Sequence, residues 1–255
     1  SSQFDFPTSE RYCNDKRIPM TVLTWEVVEN EKQGVFVQEP LGEVDVSYTC
    51  LKYRCEIGQT EFDFQNSGYQ AGLQVNFPHC SSGILRARKD GYKEEWIEVG
   101  TEPHHEAELK LAPLLTVPLN KMRVVKHDVS GDVIGGAREL RGSEMALVRM
   151  THRKNGEIFH KVEQVIGPST AELAGWIDFL AQADFEYELE INVFDGERII
   201  GGYVGNWTVP WESLQFGEGL TFHTATRDGN EIEIFDLVQS MNHYSLQVPE
   251  PEVDQ

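Results

Sequence analysis

Leu41–Thr60 reads LGEVDVSYTCLKYRCEIGQT and Leu73–Val99 reads LQVNFPHCSSGILRARKDGYKEEWIEV. These two runs decide the fold class. Val44, Val46 and Tyr48 alternate with polar residues, as do Leu73, Val75 and Phe77, and this period of two belongs to half-buried strands. Pro78 has no N–H to give a ladder and ends its strand. Ser81-Ser82-Gly83 turns the chain into Ile84, Leu85 and Ala87, and Asp90-Gly91 turns it back into Tyr92–Val99. The result is a meander of short strands that carries three of the four cysteines.

Those cysteines, Cys13, Cys50, Cys55 and Cys80, form no C-x-x-C pair, so zinc-ribbon and redox motifs do not fit and two disulfides do. That places the protein in an oxidising, extracellular or surface-exposed location. Three connectivities exist. Cys50 and Cys55 flank a tight connection and Cys80 follows a strand end, which favours Cys80 bonded to one of that pair and Cys13 tying the N-terminal arm to the other.

A formal charge of -20 over 255 residues repels nucleic-acid phosphate and anionic membrane alike. No apolar run is long enough for a membrane span. The opening SSQFDFPTSE has neither a basic nor an apolar segment and reads as the start of a processed or excised chain. Residues 1 to 17 read as a polar arm bearing Phe4 and Phe6.

Met20–Val28 (MTVLTWEVV) is a strand, ENEKQG a turn, and Lys52–Ile57 a further strand. Pro103, Pro113 and Pro118 mark residues 100–118 as a boundary. The division expected is 1–108, an arm plus a stapled β-sandwich, and 109–255, a second sandwich with an extended tail. In the second half, Asn155-Gly156 joins Met145–His152 to Ile158–Ile166, in a register that sets His152 opposite Phe159. Asp195-Gly196 joins a strand carrying Tyr187, Leu189 and Ile191 to one carrying Ile200 and Val204, with Phe194 opposite Glu197. A third hairpin is expected from Leu220–Ala225, Asp228-Gly229 and Glu231–Val238. The sequence Ser169-Thr-Ala-Glu172 is a capping box, and Leu173, Trp176, Ile177 and Leu180 follow at helical spacing, so one short helix is expected there, although Trp-Ile-Asp-Phe suits a strand equally.

The order PLGEVDVSY, CEIGQT, VNFPHCSSGILRARKDGYKEEWIEV resembles the carboxypeptidase regulatory-like and PEGA-type domains. These have a Pro-Leu-led strand, a Gly-x-Thr step, an apolar strand into a turn and a strand ending in Gly-Tyr. Gly58, Thr60, Gly83, Lys89, Gly91 and Tyr92 stand at the matching positions. The resemblance covers Thr21–Val99 and departs in its cysteines. It implies a prealbumin-like β-sandwich and a non-catalytic accessory module used for display, assembly or adhesion.

Few constellations offer chemistry. In the expected register His152 and His160 point to opposite faces and share no metal; His104 and His105 are neighbours on diverging sides. Asp128-Val-Ser-Gly-Asp132 offers oxygen ligands of the kind calcium takes, yet the same residues make ordinary turns. Tyr203, Trp207 and Trp211 are a candidate platform for stacking sugar rings, with Trp176 a further aromatic, although a sandwich core uses the same residues. Asn206-Trp-Thr208 is a glycosylation acceptor sequence. No nucleophile elbow, metalloprotease helix, phosphate loop or dinucleotide fingerprint occurs.

The sequence thus reads as an acidic all-β protein of two tandem sandwiches with no catalytic residue, metal or cofactor. Its expected role is structural or adhesive, in a surface layer, appendage or particle exterior, with self-association or other assembly proteins as partners. A carbohydrate-binding module is the alternative.

Overall fold

A computed structural model describes residues 9–62, 64–66, 68–168 and 174–255. The arm's Phe4 and Phe6 and the Ser169–Glu172 capping box lie outside the described residues. The chain is all-β, and it divides into two compact units, Ser1–Leu114 and Leu115–Gln255.

The first unit opens with α1 (Ser9–Asn14), so the described part of the expected arm is a helical turn leading straight into β1 (Lys16–Asn30). There follow β2 (Val35–Pro40), β3 (Asp45–Cys50), β4 (Tyr53–Gln59), β5 (Glu61–Phe62), β6 (Ala71–Pro78), β7 (Gly83–Arg88), β8 (Glu95–Val99) and β9 (His105–Leu111). One sheet has the order β2-β1-β6-β5, with β9 parallel to β1; the other has the order β4-β3-β7-β8. Three of these strands, β2, the two-residue β5 and β9, were not foreseen. VFVQEP has an exposed surface with little alternation, and β9 falls in the Pro-marked stretch, so a boundary at 108/109 would cut a strand.

Between the two sheets, Met20, Val22, Val46, Tyr48, Phe77, Leu85 and Leu109 are buried. Each large side chain removed from water there contributes about 1.5–3 kcal/mol before its ordering cost. Tyr48 meets Phe77 edge-on at 5.3 Å, and its hydroxyl donates to the Val99 carbonyl at 2.8 Å. Burial pushes the Tyr48 phenol up to about 12, with the nearby Tyr12 phenol a lesser cause. Disulfide Cys50–Cys80 joins the end of β3 to the residues after β6, tying the two sheets together, and Cys13–Cys55 fastens α1 to β4. Both belong to an oxidising environment.

The second unit comprises β10 (Leu114–Pro118), β11 (Met122–Ser130), β12 (Val133–Glu139), β13 (Glu144–Lys154), β14 (Glu157–Ile166), β15 (Trp176–Leu180), β16 (Glu186–Asp195), β17 (Arg198–Thr208), α2 (Trp211–Phe216), β18 (Gly219–Thr226), α3 (Glu231–Gln239), α4 (Met241–Ser245) and β19 (Glu252–Asp254). An eight-stranded sheet runs β12-β11-β18-β17-β16-β13-β14 with β19 against β18, and β10 pairs with β15 in a two-stranded sheet. None of the described helices is long and apolar enough to cross a membrane.

Local structure departs from expectation at four places here. Trp176–Leu180 is strand, not helix: Ile177, Phe179 and Leu180 are buried, and β-branched and aromatic residues suit a strand against a core. Glu231–Gln239 is helix rather than the second arm of a hairpin. Asn230 accepts from the Glu233 N–H and Glu233 returns a bond to the Asn230 N–H, a capping box that offsets two orphan donors, while Ile234 and Leu237 bury one face.

The hairpin registers differ too. Asn155 and Gly156 take φ of 53° and 80°, as a two-residue turn with both central residues at positive φ requires, and Lys154 faces Glu157. A bulge between His152 and Arg153 then moves the ladder by one, so His152 faces His160. In the second hairpin Asp195 faces Arg198, so the turn residues are Gly196 and Glu197. A further bulge beside Val193 places Ile191 opposite Tyr203 and Tyr187 opposite Trp207. Gly201 and Gly202 permit it: a Cβ on Gly202 would overlap the Ile191 carbonyl oxygen.

Candidate functional site

In the first unit, Thr60, Lys89 and Tyr92 gather at one junction between the sheets. The buried Thr24 hydroxyl donates to the Leu41 carbonyl at 2.6 Å and lies 2.9 Å from the Thr60 hydroxyl, which accepts from the Val44 N–H at 3.1 Å. Lys89 donates to the Gly42 carbonyl at 2.7 Å, and Tyr92 donates to Glu26 on β1. That bond and burial together raise the Tyr92 phenol pKa, burial being the larger cause. At the opposite end of β7, Gly83 lets the Tyr48 ring lie against the strand, since a Cβ there would come within 2.5 Å of the ring. Thr60, Lys89 and Tyr92 hold the loops between sheets. Beside them an open cleft of about 550 Å³ is lined by Leu41, Glu43, Thr60, Phe62 and Lys89.

In the second unit the aromatic platform does not exist. Tyr203 and Trp207 are buried, and Trp207 meets Phe179 and Phe222 edge-on at 6.3 Å and 6.1 Å. They are core because the shifted register turns them inward beside Ile191 and Tyr187. Trp211 stands at the start of α2 and is half-buried, and Trp176 is exposed on β15. No sugar ring can stack on a tryptophan that is only 3% exposed.

The histidines are also placed by the register. His152 and His160 both approach Tyr187, at 5.8 Å and 6.4 Å, so the expectation that they point to opposite faces is overturned by the bulge. His152 donates to the Glu186 carbonyl at 2.8 Å and His160 to the Asp178 carbonyl at 2.7 Å. Asp128 pairs with Arg138 and accepts from Thr226. Among the described residues no group of three His, Cys, Asp or Glu side chains is arranged to hold a metal.

A groove of about 950 Å³ lies on the outer face of β14-β13-β16-β17, rimmed by Asn242 and Leu246. Strand alternation builds it. Val148, Met150, Leu189 and Ile191 face the core, so their neighbours Arg149, Glu188 and Glu190 face out. Arg149 bonds Glu163 at 2.6 Å and approaches Glu190 at 3.8 Å, and Arg153 bonds Glu188 at 3.0 Å. The hydrogen bond and charge of Glu163 hold the Arg149 guanidinium above its ordinary pKa. Exposed Asn206, the glycosylation candidate, lies in this same groove. Its ladder of crossed charges comes from cross-strand register, which no single segment displays.

No family model and no curated protein matches the chain. Among solved structures, a DUF3823 family protein from Bacteroides ovatus ATCC 8483 is similar at 6% identity and a TM-score of 0.23, over 74% of this chain and 98% of that one.

Proposed function

We propose that this is a non-catalytic structural or adhesive protein of an extracellular assembly, and that its first unit is a disulfide-bearing relative of the carboxypeptidase regulatory-like and PEGA-type modules. The observation that carries the reading is the state of the sheet edges. Among the described residues β2 pairs with β1 alone and presents Phe36, 66% exposed. Among the same residues β14 pairs with β13 alone and presents Ile158 and Val165, 54% and 48% exposed. An open edge with exposed apolar side chains can accept a strand from a neighbouring copy, where main-chain hydrogen bonds give affinity and alternate side chains give register. The gathering of Thr60, Lys89 and Tyr92 at the loop junction supports the module reading, and the two disulfides support the location.

Sedimentation of the intact protein over rising concentration tests this, beside Phe36→Lys and Val165→Lys. Ordered association that either charge abolishes is expected. A chain that stays monomeric at high concentration would sink the reading. The groove of Arg149, Glu190 and Asn206 favours a second reading, a carbohydrate-binding module, in which the polar ladder and not an aromatic platform would meet the sugar hydroxyls. A glycan screen with Arg149→Ala separates the two.

A further inference from the structure

The C-terminal strand β19 is held by three residues, with Gly219, Leu220 and Thr221 facing Asp254, Val253 and Glu252. Beside this short ladder runs a buried chain of polar groups. The Gly135 carbonyl lies 2.9 Å from His127 Nδ1, His127 Nε2 lies 2.9 Å from His223 Nδ1, and His223 Nε2 lies 3.2 Å from Glu252 Oε2. Both histidines are buried.

Counting protons decides what this chain can do. A carbonyl only accepts, so His127 Nδ1 carries hydrogen and, in the neutral ring, His127 Nε2 is bare. His223 Nδ1 must then donate to it, which leaves His223 Nε2 bare in its neutral ring. An ionised Glu252 also only accepts, so two lone pairs face each other. Three hydrogen bonds need three protons, and two neutral imidazoles supply two. The chain closes only with one proton more, carried on one of the two imidazoles, and the carboxylate of Glu252 makes His223 the favoured place for it.

We propose that His127, His223 and Glu252 form a proton-operated latch that ties β19 to β18. With the proton bound, His223 donates at both nitrogens and Glu252 is drawn onto the sheet. Without it, one link must open. The Glu252 link is the one, because its carboxylate is 61% exposed and can turn to water, whereas the His127–His223 link is buried and the Gly135 carbonyl is fixed in the β12 backbone.

The groups facing His223 set the range. Burial lowers its pKa below the ordinary 6.5, Glu252 on β19 raises it, and His127 and Arg123 on β11 lower it further. Arg123 is itself engaged by Glu139 on β12 at 3.2 Å, and Asp254 on β19 accepts from Thr221. The latch therefore closes on mild acidification. The sign differs from that of global stability: a histidine whose folded pKa is depressed takes stability away as pH falls below about 6.5, because the unfolded chain binds the proton more readily. Within the folded chain the same proton favours the docked strand, since only docking supplies Glu252.

Amide hydrogen exchange of residues 218–221 and 252–254 in the intact chain, corrected for intrinsic rates between about pH 5 and pH 8, tests the latch. Protection is expected to rise as pH falls, by about tenfold for each pKa unit that Glu252 contributes to His223. In Glu252→Gln the amide can donate to the bare His223 Nε2, so protection should be high and independent of pH. Protection that is flat in the native chain, or a pH response in Glu252→Gln equal to that of the native chain, overturns the proposal. Nitrogen chemical shifts of the His223 ring give an independent check: a ring that stays neutral throughout while β19 remains docked also overturns it.

Discussion

Lys126 Nζ lies 2.7 Å from Glu144 Oε1, and both side chains are almost wholly removed from solvent, at 5% and 1% exposure. The second carboxylate oxygen of Glu144 accepts the Arg141 N–H at 2.7 Å. One carboxylate therefore answers both a buried ammonium from β11 and an otherwise orphaned backbone donor at the start of β13.

Removing one partner of a buried pair leaves an uncompensated charge, so Lys126→Met should cost about 3–5 kcal/mol. The double variant Lys126→Met/Glu144→Gln removes both charges and keeps an acceptor for Arg141. It should recover most of that loss. Urea unfolding of the two single variants and the double measures the coupling; a double variant as unstable as the sum of the singles would argue against the pairing.

Gly202→Ala should destabilise by about 1–3 kcal/mol, because its Cβ overlaps a backbone carbonyl on β16 that cannot move without breaking the ladder. Gly136→Ala, whose Cβ would meet nothing within 4 Å, serves as the control and should stay within about 0.5 kcal/mol. Thermal unfolding that ranks the two equally would count against the observed register.

Asn230→Ala should cost about 1 kcal/mol through loss of the cap on α3. Asn230→Asp keeps an acceptor and should cost less. If the segment were a β-arm, neither change would alter helical circular dichroism, so the pair of spectra checks the element as well as its energy.

Replacing Cys50 and Cys80 with serine opens a loop of 30 residues in sequence separation, which corresponds to about 3.5 kcal/mol of chain entropy. Denaturation of this variant beside the Cys13→Ser/Cys55→Ser variant is the measurement. Both should lose stability. An unchanged midpoint for the Cys50–Cys80 variant would show that the sheets of the first unit do not depend on that tie.

Alternation in Val44–Tyr48, Leu73–Phe77 and Tyr187–Ile191 made strands legible directly, because side chains on a pleated strand change face at every residue. Asn155-Gly156 was equally readable, since its turn type demands positive φ at two adjacent residues and few residue pairs supply it. The cysteine spacing limited the chemistry to disulfides for a similar reason: too few sulfurs stand close together to bind a metal.

What tertiary structure decided is everything that depends on register. The bulges beside His152 and Val193 each move a ladder by one residue, and they exist because Gly201, Gly202 and the packed core accept them. Those shifts brought His152 beside His160, sent Tyr203 and Trp207 into the core, and so removed the aromatic platform. The groove of Arg149, Glu163, Glu188 and Glu190 and the His127–His223–Glu252 chain are assembled across strands, and His127 and His223 stand 96 residues apart in sequence. A residue's own neighbours fix its local periodicity, but the partner across a sheet is chosen by the packing of the whole unit, and the chemistry of this protein lies between partners.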